Sequence, residues 1–279
     1  MNMHTLLKRS DMRHLPAFIV LALGAIAATM HLFWVDRLGD ESLIPLSIIF
    51  WLSVGILIWQ RRQTIEIEKV NVASLLGSSL LVLFVILGFQ SLTDAYAAGS
   101  PFIAMLGIAL LSAGLQCFRQ YRSELLLMFF LGVPRALLWS TLDLRETTAK
   151  FSTMLLNLSR FDAIRENQFI HLPNGSVEVI QDCSGLNGIL YLIAMSVLFL
   201  IMLPIKGWKR YFVPLVGIGI AFLSNGARVA FLAVAAASPD PKVFEFWHGT
   251  SMFSLGALGV FCAVYFIFLQ QERSLKQVS

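Results

Sequence analysis

Charge is scarce in this chain: Asp, Glu, Lys and Arg make up 14% of its 279 residues, against 57% hydrophobic residues and a mean hydropathy of +0.74. Soluble domains carry about a quarter charged residues, so this shortage excludes an ordinary soluble domain and makes lipid the solvent for most of the chain. Cysteine is scarce too. Cys117, Cys183 and Cys262 are too few and too far apart for a disulfide framework or a metal-ligand cluster, and no cofactor or metal is expected. Internal repeats and low-complexity tracts are absent, and the short loops give no boundary, so residues 1–279 read as a single polytopic membrane domain. The net charge of +4 comes with no basic groove or aromatic-basic motif, which argues against a nucleic-acid partner. The first apolar run lacks a small-residue cleavage site and is bounded by Arg13 and by Asp36, Arg37 and Asp40; it reads as a retained span rather than a signal peptide.

What the chain does have is long apolar runs. A helix crossing a hydrocarbon core of roughly 30 Å needs about 20 residues. Eight runs approach that length: 15–35, 43–60, 71–92, 101–118, 124–141, 183–203, 211–237 and 250–269. The expected fold is therefore an all-α integral membrane protein of about eight transmembrane helices. Basic residues orient it. With the N-terminus in the cytoplasm, 13 of the 21 Lys and Arg lie inside: Lys8, Arg9, Arg13, Arg61, Arg62, Lys69, Arg119, Arg122, Lys206, Lys209, Arg210, Arg273 and Lys276. Only Arg37 and Lys242 then fall in short external loops. Both termini are expected to be cytoplasmic. Arg135, after Pro134 in the fifth run, reads as an interhelical pair or kink contact, and Cys117 and Cys262 as apolar packing residues.

Residues 142–182 form the long external loop. Phe151, Met154, Leu155, Leu158 and Phe161 recur at helical spacing with Lys150, Asn157 and Arg160 between them. Such a stripe suits a helix lying in the membrane interface, and equally one packed on other spans. A short β-hairpin follows, with Ile170 and Leu172 alternating before Pro173-Asn174-Gly175 and Val177 and Val179 after it.

The hairpin leads into Gln181-Asp182-Cys183-Ser184-Gly185-Leu186-Asn187-Gly188, where the sixth run begins. A helix start presents free N–H groups and the positive end of the helix dipole, which suits a thiolate. Asp182 opposes this unless it caps the helix. Gly185 and Gly188 allow close backbone approach. Asn187 suits either an oxyanion donor or a helix contact. Deep in the seventh run, Arg228 lies 17 residues beyond Tyr211, about 26 Å at a helical rise of roughly 1.5 Å. A buried arginine costs a few kcal/mol and needs a cavity and a partner; Ser224 and Asn225, on its face, are candidates to hold it. His248, in Glu245-Phe246-Trp247-His248-Gly249, opens the last run. Cys183, Arg228 and His248 thus converge by topology on one membrane face. His4, His14, His31 and His171 share no such pattern.

Leu172-Pro173-Asn174-Gly175-Ser176-Val177-Glu178-Val179, Cys183-Ser184-Gly185, Asn225-Gly226-Ala227-Arg228-Val229 and His248 together resemble the exosortase/archaeosortase family, most strongly over residues 125–265. The first four spans match in hydropathy and number. Where members often carry Arg or Ser shortly after Cys-Ser-Gly, this chain has Asn187 and Gly188. The resemblance implies a membrane cysteine protease, or transpeptidase, of the bacterial inner membrane with its active site near the periplasmic face. Cys183, Arg228 and His248 would be its catalytic residues, supported by Ser184, Gly185, Asn187 and Asn225. Its partners would be membrane lipid and exported proteins ending in a Pro-Glu-Pro type motif, a transmembrane helix and a basic tail. Edge-strand recognition alone, not the resemblance, makes the hairpin at 168–180 a candidate to pair with that motif as an added strand. The competing expectations are a transporter or exopolysaccharide assembly component binding an anion through Arg228, and a membrane acyl or lipid transferase.

Overall fold

The computed structural model describes residues 14–40 and 42–278, with side-chain surroundings for all of these but 272–278. Lys8, Arg9 and Arg13, which carry part of the orientation argument, lie outside the described residues, as does His4. Two compact units result, Met1–Leu137 and Leu138–Ser279.

The first unit contains α1 (Leu15–Arg37), α2 (Leu43–Gln60), α3 (Val72–Gln90), α4 (Asp94–Ala113), the short α5 (Cys117–Gln120) and α6 (Arg122–Leu138). Polar side chains set its helix starts. Asn71 and Ser74 form a reciprocal cap on α3, and Thr93 accepts from the Tyr96 N–H at the start of α4. Several polar side chains inside this unit are paired, as a low-dielectric interior favours, although the indole nitrogens of Trp34 and Trp51 and Glu124 Oε2 are buried without a partner among the described residues. His31, fully buried, is hydrogen-bonded to Ser100 Oγ at 3.1 Å and to Ser47 Oγ at 2.9 Å, tying α1 to α4 and α2. Arg135 meets Asp40 at 2.5 Å, so the partner expected of it on another helix is instead a carboxylate between α1 and α2. Arg61 pairs with the buried Glu124 and donates to the Gln120 carbonyl at 2.6 Å.

The second unit contains α7 (Arg145–Leu158), a sheet of β1 (Ile164–Glu166), β2 (Phe169–Leu172) and β3 (Gly175–Glu178), a 3-10 turn (Gln181–Cys183), α8 (Leu186–Met202), α9 (Lys209–Ala236), α10 (Pro241–Gly249) and α11 (Met252–Val278). Among the described residues, six helices are long and apolar enough to cross a membrane. The chain is thus an all-α, multi-pass membrane protein with a small sheet. All eight apolar runs are helical, but two give shorter helices. Leu186–Met202 and Arg122–Leu138 have 17 residues each, about 26 Å at the helical rise, because Gly185 and Leu203-Pro204 bound the first and Arg122 and the turn after Leu138 bound the second.

The loop differs from its sequence reading in two ways. The hairpin exists, with Ile170 opposite Val177 and Leu172 opposite Gly175, but β1 adds a third antiparallel strand. Its turn rests on Asn167 at φ 53°, a conformation Asn tolerates; the short, exposed β1 has no apolar alternation to announce it. Of the two readings of the α7 stripe, packing on other spans accounts for only part of the helix, which packs mainly through small side chains. Its buried face is Thr148, Ala149, Ser152, Thr153 and Leu156, while Met154 and Leu158 are exposed. Small residues let the two backbones approach: Ser152 Oγ donates to the Gly226 carbonyl of α9 at 2.9 Å. Phe151 alone of the large apolar residues lies across Gly226, its ring 5.2 Å from that of Phe222. The sheet closes over this pair, and Ile170, Val179, Cys183, Val229, Ala230 and Ala233 form one core with Ala149 and Leu156.

Candidate active site

Cys183 ends the 3-10 turn between the sheet and α8, with 7% of its surface exposed. Three contacts hold that turn. Asn225 Nδ2, from α9, donates to the Cys183 carbonyl at 2.9 Å. Thr148 Oγ1, from α7, donates to the Ser184 carbonyl at 2.7 Å. Gln181 Nε2 donates to the Trp139 and Leu142 carbonyls at 3.0 and 3.2 Å. Gly185 follows at φ 89°, where a side chain would be strained and where a Cβ would lie 2.7 Å from Asn225 Nδ2. The glycine is thus required twice, by its φ and by the carboxamide beside it. It is also the N-cap of α8, with no side-chain cap. Asp182 is exposed and does not cap the helix, contrary to the reading that would have occupied it there.

Two other helices bring their side chains to the sulfur. From α9, Arg228 Nη1 lies 3.9 Å from Cys183 Sγ, and Nη2 donates to the His248 carbonyl at 3.2 Å. From α10, His248 Nε2 lies 3.9 Å from the same sulfur. α10 is a separate short helix, started by Asp240, whose carboxylate accepts from the Lys242 N–H at 3.0 Å, and by Pro241. It places Phe244 and His248 on one face, their rings stacked 5.4 Å apart at 20°. A cavity of about 290 Å³ opens beside the sulfur, between residues 176–180 on one side and Val229, Leu232, Phe244 and His248 on the other.

The three residues expected to converge therefore do so within one unit. Of the supporting residues, Ser184 is buried, its Oγ accepting from the Leu186 N–H at 3.4 Å. Gly185 and Asn225 shape the turn. Asn187 does not line the cavity; its Oδ1 is buried without a partner. Ser224 and Asn225 do not hold the guanidinium, because Ser224 donates to the Phe253 carbonyl and Asn225 to that of Cys183. Arg228 instead has the sulfur and the His248 carbonyl as neighbours, and among the described residues no carboxylate pairs with it. Sequence reasoning missed Thr148 and Phe244. The spacing of Phe244 four residues before His248 was a usable signal; Thr148 sits 36 residues from its partner and left none.

At the start of α7 the Asp143 carboxylate accepts three hydrogen bonds from the Arg145 guanidinium, the shortest at 2.7 Å, and one from its N–H at 2.9 Å. Those bonds pull its pKa down to about 2.

No curated protein and no solved structure matches the chain. The sequence model of one family, described as Transmembrane exosortase, matches residues 34–267, reaching into the first-unit helices as well as spanning the site, and the chain belongs to that family.

Proposed function

We propose that this protein is a membrane cysteine transpeptidase that removes the C-terminal sorting tail of exported proteins. The observation that carries the reading is the meeting of a histidine nitrogen and an arginine nitrogen at one thiol, each 3.9 Å from Cys183 Sγ and each supplied by a different helix. Nucleophile, base and cation within reach of one another are the parts that thiol acyl transfer needs.

In the first half-reaction His248 Nε2 takes the thiol proton, and Cys183 Sγ attacks the carbonyl carbon of the scissile peptide bond. Arg228, whose charge no carboxylate neutralises among the described residues, stabilises the thiolate and then the oxyanion. The C–N bond breaks, the leaving nitrogen receives the proton from imidazolium, and the tail departs as an amine. The exported segment remains as a thioester on Cys183. An acceptor amine, or water, then gives its proton to His248 and attacks the thioester, and the thiol leaves as the thiolate. The substrate ends in a short motif of the Pro-Glu-Pro type, one apolar helix and a basic end. The protein sits in the inner membrane with both termini cytoplasmic and the site near the periplasmic face, in keeping with the distribution of Lys and Arg.

The test is a reporter fused to such a tail, co-expressed with the protein and followed by gel shift. Wild type should shorten it, and Cys183→Ala should leave it full length. Equal processing by both removes this reading; a protein that instead shows Arg228-dependent anion uptake without processing is the transporter considered above.

A further inference from the structure

We infer that the outer edge of β3 is the substrate-binding strand, and that the exported segment just before the scissile bond adds to it in parallel. This inference rests on the transpeptidase reading for the identity of the scissile bond. The sheet has the order β1-β2-β3, so β3 pairs on one side only. The Val179 N–H donates to the Gln168 carbonyl at 3.0 Å, and the antiparallel register continues through Ile170 opposite Val177 and Leu172 opposite Gly175. Hydrogen-bonded and non-bonded pairs alternate along such a ladder. The backbone groups of Val177 and Val179 therefore point to β2, and those of Ser176 and Glu178 point away from it. No described residue takes the outward groups of Ser176 and Glu178. They face the cavity that ends at Cys183 and His248.

An exposed edge of this kind templates another extended chain. A row of unpaired N–H and C=O groups beside the cavity calls for a hydrogen-bonding occupant, which selects a peptide over a lipid acyl chain. Its direction follows from the packing. Gly175 begins β3 against the Ala236 carbonyl, where a Cβ would come within 2.8 Å. The sulfur lies beside Arg228, eight residues earlier in α9, or about 12 Å along the axis. β3 thus runs from the C-terminal end of α9 back toward the sulfur. With that end of α9 on the exported side, the acyl portion of the substrate lies along β3 and its tail continues toward Lys209 and Arg210. The substrate strand runs in the same direction as β3.

The test uses the full chain with Cys117, Cys183 and Cys262 replaced by Ala and Ser176→Cys added, in membranes with a reporter–tail fusion that carries single cysteines through the ten residues before its motif and through the motif itself. Side chains of a paired strand alternate faces and a disulfide needs Cα atoms about 4.4–6.8 Å apart, so capture should appear at the position opposite residue 176 and at same-face neighbours two residues away, and skip the positions between. In the otherwise native chain, Glu178→Pro removes one outward N–H from an edge strand, a place where proline is tolerated. It should lower tail cleavage about tenfold or more, the loss of roughly one hydrogen bond or more, with thermal unfolding in detergent unchanged. Capture that is absent or lacks the two-residue alternation overturns the strand. If Cys183-dependent cleavage persists in that case, the transpeptidase reading survives without it. Alternating capture with no cleavage by wild type keeps the strand and removes the transpeptidase. If Glu178→Pro fails to fold, the capture pattern decides alone.

Discussion

Gly185 links the nucleophile to α9 through conformation rather than through its own chemistry. Its φ of 89° and the carboxamide beside it leave no room for a methyl group. Gly185→Ala is expected to cost about 1–3 kcal/mol in backbone strain and to push Asn225 off the Cys183 carbonyl. Thermal unfolding should show the first effect, and a fall in tail cleavage of about tenfold or more the second. Asn225→Ala breaks the same hydrogen bond without the strain, so it should reproduce the loss of cleavage at a smaller cost in stability of about 1 kcal/mol; equal stability losses in the two variants would refute the assignment. Arg228 tests differently. One nitrogen faces the sulfur while the other donates to the His248 carbonyl, a fork that a single ammonium cannot reproduce. Arg228→Lys should therefore lose most cleavage although the charge is kept, and near wild-type turnover in that variant would reduce Arg228 to a simple counter-charge.

At the scale of elements, the sheet and α7 form a cover over α9, and its strength comes from a few fully buried groups. Ile170 is wholly buried in that core, so Ile170→Ala should destabilise the second unit by about 2–5 kcal/mol, measured by thermal unfolding. Thr148→Val removes the bond to the Ser184 carbonyl while keeping the shape, and should cost about 1–3 kcal/mol because the carbonyl stays buried. The ion pair of Asp143 and Arg145 behaves otherwise. Its carboxyl has a folded pKa of about 2, below the ordinary 3.8. Any stability it adds is present above pH 4 and lost as pH falls toward 2. Asp143→Asn is therefore expected to leave the shape of the stability profile between pH 5 and 8 unaltered. A new slope in that window would contradict the assignment. α7 was only partly legible in the sequence. Its helical period was plain, but its apolar stripe suited the membrane interface and a packed face equally, and only the structure shows that small side chains at Ala149, Ser152 and Thr153 make the packed face.

For the molecule as a whole, reporter fusions check the orientation argument. A fusion at Lys206–Arg210 should report cytoplasm, and one within residues 160–168 should report the exported side; the reverse pattern would overturn the proposed topology. Helical class, apolar runs and the clustering of Lys and Arg followed from the sequence alone, because a chain in lipid must satisfy every backbone group internally and composition reveals where it does so. The sequence also singled out Arg228, since an apolar chain carries a buried charge only at a cost, Cys183 by its place at a helix start, and His248 by its convergence with them on one face. Tertiary structure decided what lies between them. Which nitrogen reaches the sulfur, that Asn225 holds the Cys183 carbonyl and not the guanidinium, and that β3 turns an unpaired edge toward the cavity all depend on the packing of α7, α9 and α10 around one turn. Those contacts join residues 36 to 65 positions apart, and no local period records a pairing across such a distance.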